Sequence, residues 1–176
     1  TKEDHSKRIE KLIWNKSWGS TNRQLKRVPN NTKLLSIAKI KLSRRRGNVD
    51  HAVKRVPVNF INEESIVYER IKWRRRARLE KPSLDLLLSY NGDYNYSKKW
   101  WKEINYHTRK QLSYGNHKTA LKLLKTYNNN SKTYLSEAQW LTGWLSLTFE
   151  KEPKTAYEYF TKMYVEVVTP ISKARA

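Results

Sequence analysis

The sequence predicts an all-α protein, an α-solenoid of about five antiparallel helical hairpins. Two observations support this fold class. The segment LKRVP at 25–29 returns as VKRVP at 53–57, which indicates an internal repeat. Apolar residues recur at helical spacing along the chain, and no stretch keeps the alternation typical of strands. No stretch of the 176-residue chain has the composition of a linker, so we expect one helical-repeat domain over 1–176.

Five anchor residues mark the predicted repeat, each a helix break followed five, six and nine residues later by packing positions. The anchors lie 28, 34, 34 and 36 residues apart: Gly19, Gly47, Lys81, Gly115 and Lys151. A longer helical stretch precedes each anchor, over 4–15, 31–44, 63–78, 97–113 and 132–148. Such a hairpin cannot bury its apolar face alone, so neighbouring hairpins must stack. The hairpins are tetratricopeptide-like in length but diverge from that repeat's strict pattern.

Local chemistry supports the helix boundaries. A hydroxyl before a helix caps its first amide groups, and a proline fits the first turn or follows a helix end. We therefore expect N-caps at Ser97 and Ser131, starts of short helices near Pro82 and Pro153, and helix ends before Pro29 and Pro57.

The chain carries 37 Lys and Arg against 16 Asp and Glu, a formal net charge of +21. This charge attracts any polyanion, including nucleic acid, anionic lipid and cell-wall polymer. Lys residues are spread over the whole chain, however, and Asn and Tyr are also abundant, as in the asparagine run 128–130. A compositional drift towards Lys, Asn and Tyr is therefore an alternative to a functional basic patch, since a real footprint clusters on one face.

Several classes of protein and site are excluded or unsupported. The chain has no Cys, which excludes disulfides and thiolate metal sites. No apolar run reaches the roughly 18 residues that a membrane span needs, and residues 1–14 lack the pattern of a secretion signal. Glu103 and His107 are four residues apart without the HExxH pattern. We predict no metal site and no cofactor.

Arginines dominate the run KWRRRARL at 72–79, at the end of the predicted helix 63–78. At about 100° per residue, an i, i+4, i+8 stripe contains Arg70, Arg74 and Arg78, with apolar residues on both sides. A helix in a solenoid contacts neighbours on two sides. We therefore expect a structural stripe, partly buried and paired with acidic or carbonyl groups of adjoining helices. The alternative, a nucleic-acid grip, needs arginines on a fully exposed face.

Four other residues are candidates for binding at the surface or on a concave face: Trp100, Trp101, Arg75 and Arg76. The tryptophan rings can stack on sugars. At helical spacing, as for Trp140 and Trp144, such rings more often form the core between repeats, and we favour the core for both pairs.

Several stretches resemble the superhelical, U-shaped region of bacterial soluble lytic murein transglycosylases. They are YERIKWRRRARL (68–79), SKKWWKEINYHTRKQLSYGNHKTALKLL (97–124), SEAQWLTGWLSLTFEKEPKTAYEYF (136–160) and VVTPISKARA (167–176). The resemblance covers most of the chain from about residue 60 onward. It implies a periplasmic parent enzyme that cleaves the glycan strand of peptidoglycan and leaves a 1,6-anhydro end.

The lysozyme-like catalytic domain of that family has no counterpart in this sequence. Family members carry their catalytic Glu in a Glu-Ser motif of that later domain. Glu64-Ser65 lacks the motif's context, so no catalytic residue is assigned here. Thr169 caps and Pro170 opens a helix that only six residues continue, which indicates truncation at the C-terminal end.

The resemblance therefore predicts a non-catalytic, periplasmic helical scaffold, inactive on its own. We expect it to contact the missing catalytic domain and to bind peptidoglycan weakly, and we expect no specific binding to nucleic acid. The alternative is an independent helical-repeat adaptor that binds a protein or nucleic acid through its concave face.

Overall fold

A computed structural model describes residues 1–127 and 131–176, and the asparagine run 128–130 lies outside them. Every regular element in the described residues is a helix, which confirms the predicted all-α helical-repeat class. The α-helices are α1 (Lys2–Trp14), α2 (Trp18–Gln24), α3 (Asn30–Arg44), α4 (Val49–Lys54), α5 (Glu64–Arg76), α6 (Glu80–Ser89), α7 (Ser97–Ser113), α8 (His117–Thr126), α9 (Lys132–Leu145), α10 (Pro153–Glu166) and α11 (Pro170–Arg175). A 3-10 turn at Val58–Phe60 follows α4, and a π-helical turn at Ser146–Glu150 extends α9.

The chain forms two compact units, Thr1–Ser83 and Leu84–Ala176. In the first unit α1 packs on α2 and α3 packs on α4, while the longer helices contact in the order α1, α3, α5. Burial of aliphatic side chains, each worth about 1.5–3 kcal/mol, stabilises this stack. The central cluster is Leu35, Ala38, Leu42, Val49, Ala52, Val56 and Ile66.

In the second unit α7 packs on α8, α9 packs on α10, and α8 also contacts α9. Gly143 of α9 lies against Phe160 of α10. A Cβ atom there would lie 2.7 Å from Phe160 Cε1 of α10, a distance that side chains do not tolerate. Glycine at this position therefore allows the phenyl ring to lie against the α9 backbone.

A residue in the left-handed conformation terminates each of the five helices that the sequence predicted before an anchor, namely α1, α3, α5, α7 and α9 with its π-helical turn. These stop residues lie 29, 33, 37 and 36 positions apart: Lys16, Arg45, Arg78, Gly115 and Lys151, with φ between 55° and 75°. At Arg78 the backbone N–H groups of Arg78 and Leu79 bond to the carbonyls of Arg75 and Arg74, at 3.1 and 2.9 Å. This pair of bonds is a Schellman motif, which satisfies carbonyls that the helix leaves open. The repeat of the fold is therefore visible in the regular spacing of these left-handed residues at the helix ends.

Two of the predicted anchors, Gly115 and Lys151, are stop residues themselves. Gly19, Gly47 and Lys81 lie two or three positions beyond the true stops. The prediction of helix to residue 78 is wrong, because α5 ends at Arg76 and the Schellman motif follows it.

The predicted helix caps are confirmed at some positions and wrong at others. Pro153 and Pro170 occupy the first helical turns of α10 and α11, and the Thr169 hydroxyl accepts from the Ser172 N–H. The prediction for Ser97 is wrong, since Ser97 is the first residue of α7 and Tyr96 takes the cap position. Ser131 stands at the cap position of α9 but its side chain makes no capping bond.

Replacing Arg78 by Gly should raise the free energy of unfolding by about 0.5–1 kcal/mol, because glycine has no Cβ to strain at φ 61°. Urea denaturation of the variant measures this. Gly115→Ala is the matched control. It places a Cβ at φ 75° with no atom within 4 Å, so backbone strain alone should lower stability by about 1 kcal/mol. A stability loss in Arg78→Gly would mean that the guanidinium contributes more than the strain costs.

Candidate functional site

A pocket of about 310 Å³ lies between α4 and α5 in the first unit. We call it the α4–α5 pocket. Its lining combines an apolar floor with three cationic side chains and one carboxylate: Leu42, Val49, Asp50, Val53, Lys54, Arg70, Trp73 and Arg74. Because the lining alternates apolar and charged groups, it suits an anionic ligand with an apolar body.

The three arginines of the predicted stripe have different environments. The Arg74 Nη1 donates to the Pro82 carbonyl at 2.8 Å, the kind of partner that the sequence predicts. Arg78 is exposed and lies beyond the helix, so its assignment to a partly buried stripe is wrong. Arg70 is partly buried and lines the α4–α5 pocket.

Arg70 has no hydrogen bond or ion pair within residues 1–127 and 131–176, which contradicts the predicted pairing with an acidic or carbonyl group. Burial lowers the pKa of its guanidinium, and the nearby charge of Arg74 lowers it further. Both effects disfavour the charged form. A guanidinium stays charged in proteins regardless, so the pocket holds a half-buried cation that no other side chain of the described residues pairs with and whose nitrogens solvent can reach.

The two tryptophans proposed for binding belong to the core of the second unit. Trp100 is 0% and Trp101 9% exposed. Trp100 stacks on Tyr90 with ring centroids 4.9 Å apart, and Trp101 packs on Tyr127. The prediction that these rings lie on a binding surface is therefore wrong, and the core alternative holds for them.

The other two candidate binding residues lie on α5. Arg75 is partly buried and makes contacts of its own, whereas Arg76 is exposed. Neither side chain lines the α4–α5 pocket. Nothing in the described residues assigns them a ligand.

A buried ionic cluster joins the three longer helices of the first unit. Lys39 of α3 is 0% exposed, and its ammonium donates to the Glu10 carboxylate of α1 and to the Ser65 hydroxyl of α5, the latter at 2.9 Å. A Ser–Lys pair is a known nucleophile arrangement. Here the Lys39 Nζ also pairs with the Glu10 carboxylate, and all three side chains join packed helices.

Glu63, next to Ser65, adds a second carboxylate to this cluster. Burial raises the pKa of Glu63, the charge of Glu10 raises it as well, and Lys39 opposes both effects. Lys39 forms its ion pair with Glu10 and acts on Glu63 only through its charge. Lys39, Glu10 and Ser65 satisfy one another, so their arrangement is structural.

Sequence reasoning missed the pocket and the cluster for the same reason. Asp50, Val53 and Lys54 reach the pocket from a separate helix, and Lys39 lies in AKIKL, where its charge predicts exposure. A local sign of its burial is that Ala38 and Leu42, one and three positions from Lys39 on α3, are apolar residues of the core cluster.

Other candidate sites are absent from the described ranges. No group of three or more His, Cys, Asp or Glu side chains that could hold a metal ion occurs in residues 1–127 and 131–176. Glu103 and His107 are buried, and each has partners within the protein. No helix in the same ranges is long and apolar enough to cross a membrane.

Two of the family-like motifs contact each other in the second unit. Arg175 of TPISKARA bonds through Nη1 to Glu137 Oε1 at 2.8 Å, and its guanidinium lies 4.1 Å from the ring centroid of Trp140. The Trp140 indole N–H also donates to the Arg175 carbonyl at 3.2 Å. Glu137 and Trp140 both belong to EAQWLTGW. These motif residues therefore hold α11 against α9.

Comparison of the chain with protein-family models, with curated proteins and with solved structures finds no match.

Replacing Lys39 by Ala should lower the free energy of unfolding by about 3 kcal/mol or more, because it leaves a cavity and strips Glu10 and Ser65 of their shared donor. Urea denaturation measures the loss. Lys33→Ala, an exposed site on the same helix, is the control and should change stability by no more than about 0.5 kcal/mol. Equal effects for the two variants would show that the cluster does not stabilise the unit.

Replacing Glu63 by Gln should raise the melting temperature at pH 7. The folded-state pKa of Glu63 lies above its ordinary value of 4.5, so its favourable contribution exists below that value and is lost as the pH rises through the folded pKa. The difference between variant and parent should therefore vanish near pH 4. Glu158→Gln, at an exposed site, controls for the change in net charge. A lower melting temperature for Glu63→Gln at pH 7 would contradict this account.

Proposed function

We propose that the chain is a non-catalytic helical scaffold of a periplasmic soluble lytic murein transglycosylase. A separate domain of the parent enzyme would cleave the glycan strand, and this region would contribute weak contacts to peptidoglycan. The proposal rests on the family-like stretches and on one structural observation that supports them.

That observation is the packing of the motif residues. Phe160 packs against the backbone at Gly143, and Arg175 contacts Glu137 and Trp140, so residues from two of the family-like stretches, 136–160 and 167–176, meet in one unit. Residues that meet in this way explain why such motifs would keep their order and spacing. They support a packing role for these motifs, which suits a scaffold and assigns no catalytic group.

The charge supplies the expected mode of contact with the wall. Peptide stems of peptidoglycan carry carboxylates, and exposed Lys and Arg side chains attract them over about one Debye length. Because the net charge of +21 is spread along the chain, this attraction should be weak and nonspecific. DNA should bind in the same manner, without base preference.

The purified chain should release no muropeptides from sacculi, because glycosidic cleavage needs a carboxylic acid held at the scissile oxygen. It should sediment with sacculi at about 0.05 M salt and stay in solution at about 1 M salt, where the Debye length falls to about 3 Å. Chromatography of released fragments and a sedimentation assay give the two readouts.

Two results would overturn the proposal. Muropeptide release that disappears in Glu64→Gln would make Glu64 a catalytic acid. Tight, salt-resistant and sequence-selective binding to a nucleic acid would instead support the independent adaptor.

A further inference from the structure

The α4–α5 pocket holds a partly buried guanidinium without a partner, at a concave surface, and the scaffold proposal gives it no role. Removing a charge from water costs free energy unless hydrogen bonds or an opposite charge compensate. Arg70 receives neither from the described residues, while Arg74 on the next turn is bonded to the Pro82 carbonyl. An anionic ligand in the pocket would give this guanidinium a charge-assisted hydrogen bond in place of its contacts with solvent.

The charges of the lining indicate the kind of anion. Arg70, Arg74 and Lys54 favour negative charge, and a guanidinium pairs with a carboxylate through two parallel bonds. Asp50 on the same lining opposes a dense anion such as a phosphate dianion. Its carboxylate can accept a hydrogen bond from an amide N–H of the ligand. A ligand that carries one carboxylate and a nearby N–H donor satisfies both groups.

The apolar part of the lining indicates the body of the ligand. Val53 and Trp73 are partly buried and pack on the core cluster, and Leu42 and Val49 belong to that cluster. They offer a surface to methyl groups or small aliphatic side chains. The volume of about 310 Å³ corresponds to roughly ten water molecules at about 30 Å³ each. This space suits a ligand the size of a dipeptide.

We infer that the α4–α5 pocket binds the terminal carboxylate of a short peptide that ends in small apolar residues. Arg70 pairs with the carboxylate, Val53 and Trp73 contact the aliphatic side chains, and Asp50 accepts from a peptide N–H. The inference stands on the pocket alone and does not depend on the proposed scaffold function.

Isothermal titration calorimetry on the full chain tests the inference with N-acetyl-alanyl-alanine, measured separately as its L,L and D,D forms. Saturable binding of either form is expected, with the carboxamide analogue of that form binding about tenfold or more weakly, because it lacks the charge that Arg70 pairs with. Arg70→Gln should weaken binding of the carboxylate to a similar degree. Arg8→Gln removes an equal charge from an exposed site outside the pocket and should leave binding unchanged.

Three outcomes of the titration would overturn the inference. They are no binding of either form, equal binding of acid and amide, and equal loss in Arg70→Gln and Arg8→Gln. Inorganic phosphate serves as a competitor in a fourth arm. Displacement of the peptide by phosphate at equal or lower concentration would make the pocket a phosphate site instead.

Thermal unfolding of Arg70→Met separates a binding role from a structural one. Methionine keeps an apolar stem and removes the uncompensated charge, so the melting temperature of the free protein should stay the same or rise while peptide binding is lost. A lower melting temperature would show that Arg70 stabilises the fold, and the binding assignment would then fail.

Discussion

The buried ammonium of Lys39 is the constraint on which the first unit depends. Three helices distant in sequence meet at it, because Glu10 lies on α1, Lys39 on α3 and Ser65 on α5. A buried ammonium needs acceptors for its donors, and here the acceptors come from two other helices, so the three helices must meet with these side chains in reach of one another. Aliphatic contacts stabilise the stack but permit many registers. The polar contact therefore selects one register among those that apolar packing alone allows.

The helix stops show how far sequence reasoning reaches into this fold. Hydrophobic spacing locates all five longer helices, because their buried faces repeat with the helical period. It misplaces three of the five stops by two or three residues, and in two of them a nearby glycine suggests the wrong position, as Gly19 does for Lys16. At Arg78 the helix ends because the backbone N–H groups of Arg78 and Leu79 bond to carbonyls of the last turn, although arginine does not favour the left-handed conformation. Residue type alone does not reveal such a stop, since the carbonyls that need partners belong to the preceding turn.

Functional residues were predicted less well than the helices, and the arginines show why. The helical period of the run 68–79 correctly brings Arg70 and Arg74 to one side of α5. The helical period does not show which of the two arginines bonds to a carbonyl. That depends on Pro82 and on the residues of α4, which only the tertiary fold brings beside these side chains. Composition likewise makes Trp100 a candidate for sugar stacking until its neighbours Tyr90 and Tyr94 are known. A side chain's type and helical face thus limit its roles, and its tertiary partners decide among them.

The residues that pack one helix on another in the second unit and the residues that line the α4–α5 pocket are different sets. Glu137, Gly143 and Arg175 each contact another helix of the second unit, so a similarity at these positions argues for shared packing. Fold and packing do not determine activity, which depends on particular sites. Arg70 lies in another of the resembling stretches, makes none of those packing contacts, and has no hydrogen bond or ion pair within residues 1–127 and 131–176. A role beyond the scaffold is therefore best sought at the α4–α5 pocket, where a ligand's carboxylate can pair with the Arg70 guanidinium that no residue in the described part of the chain pairs with.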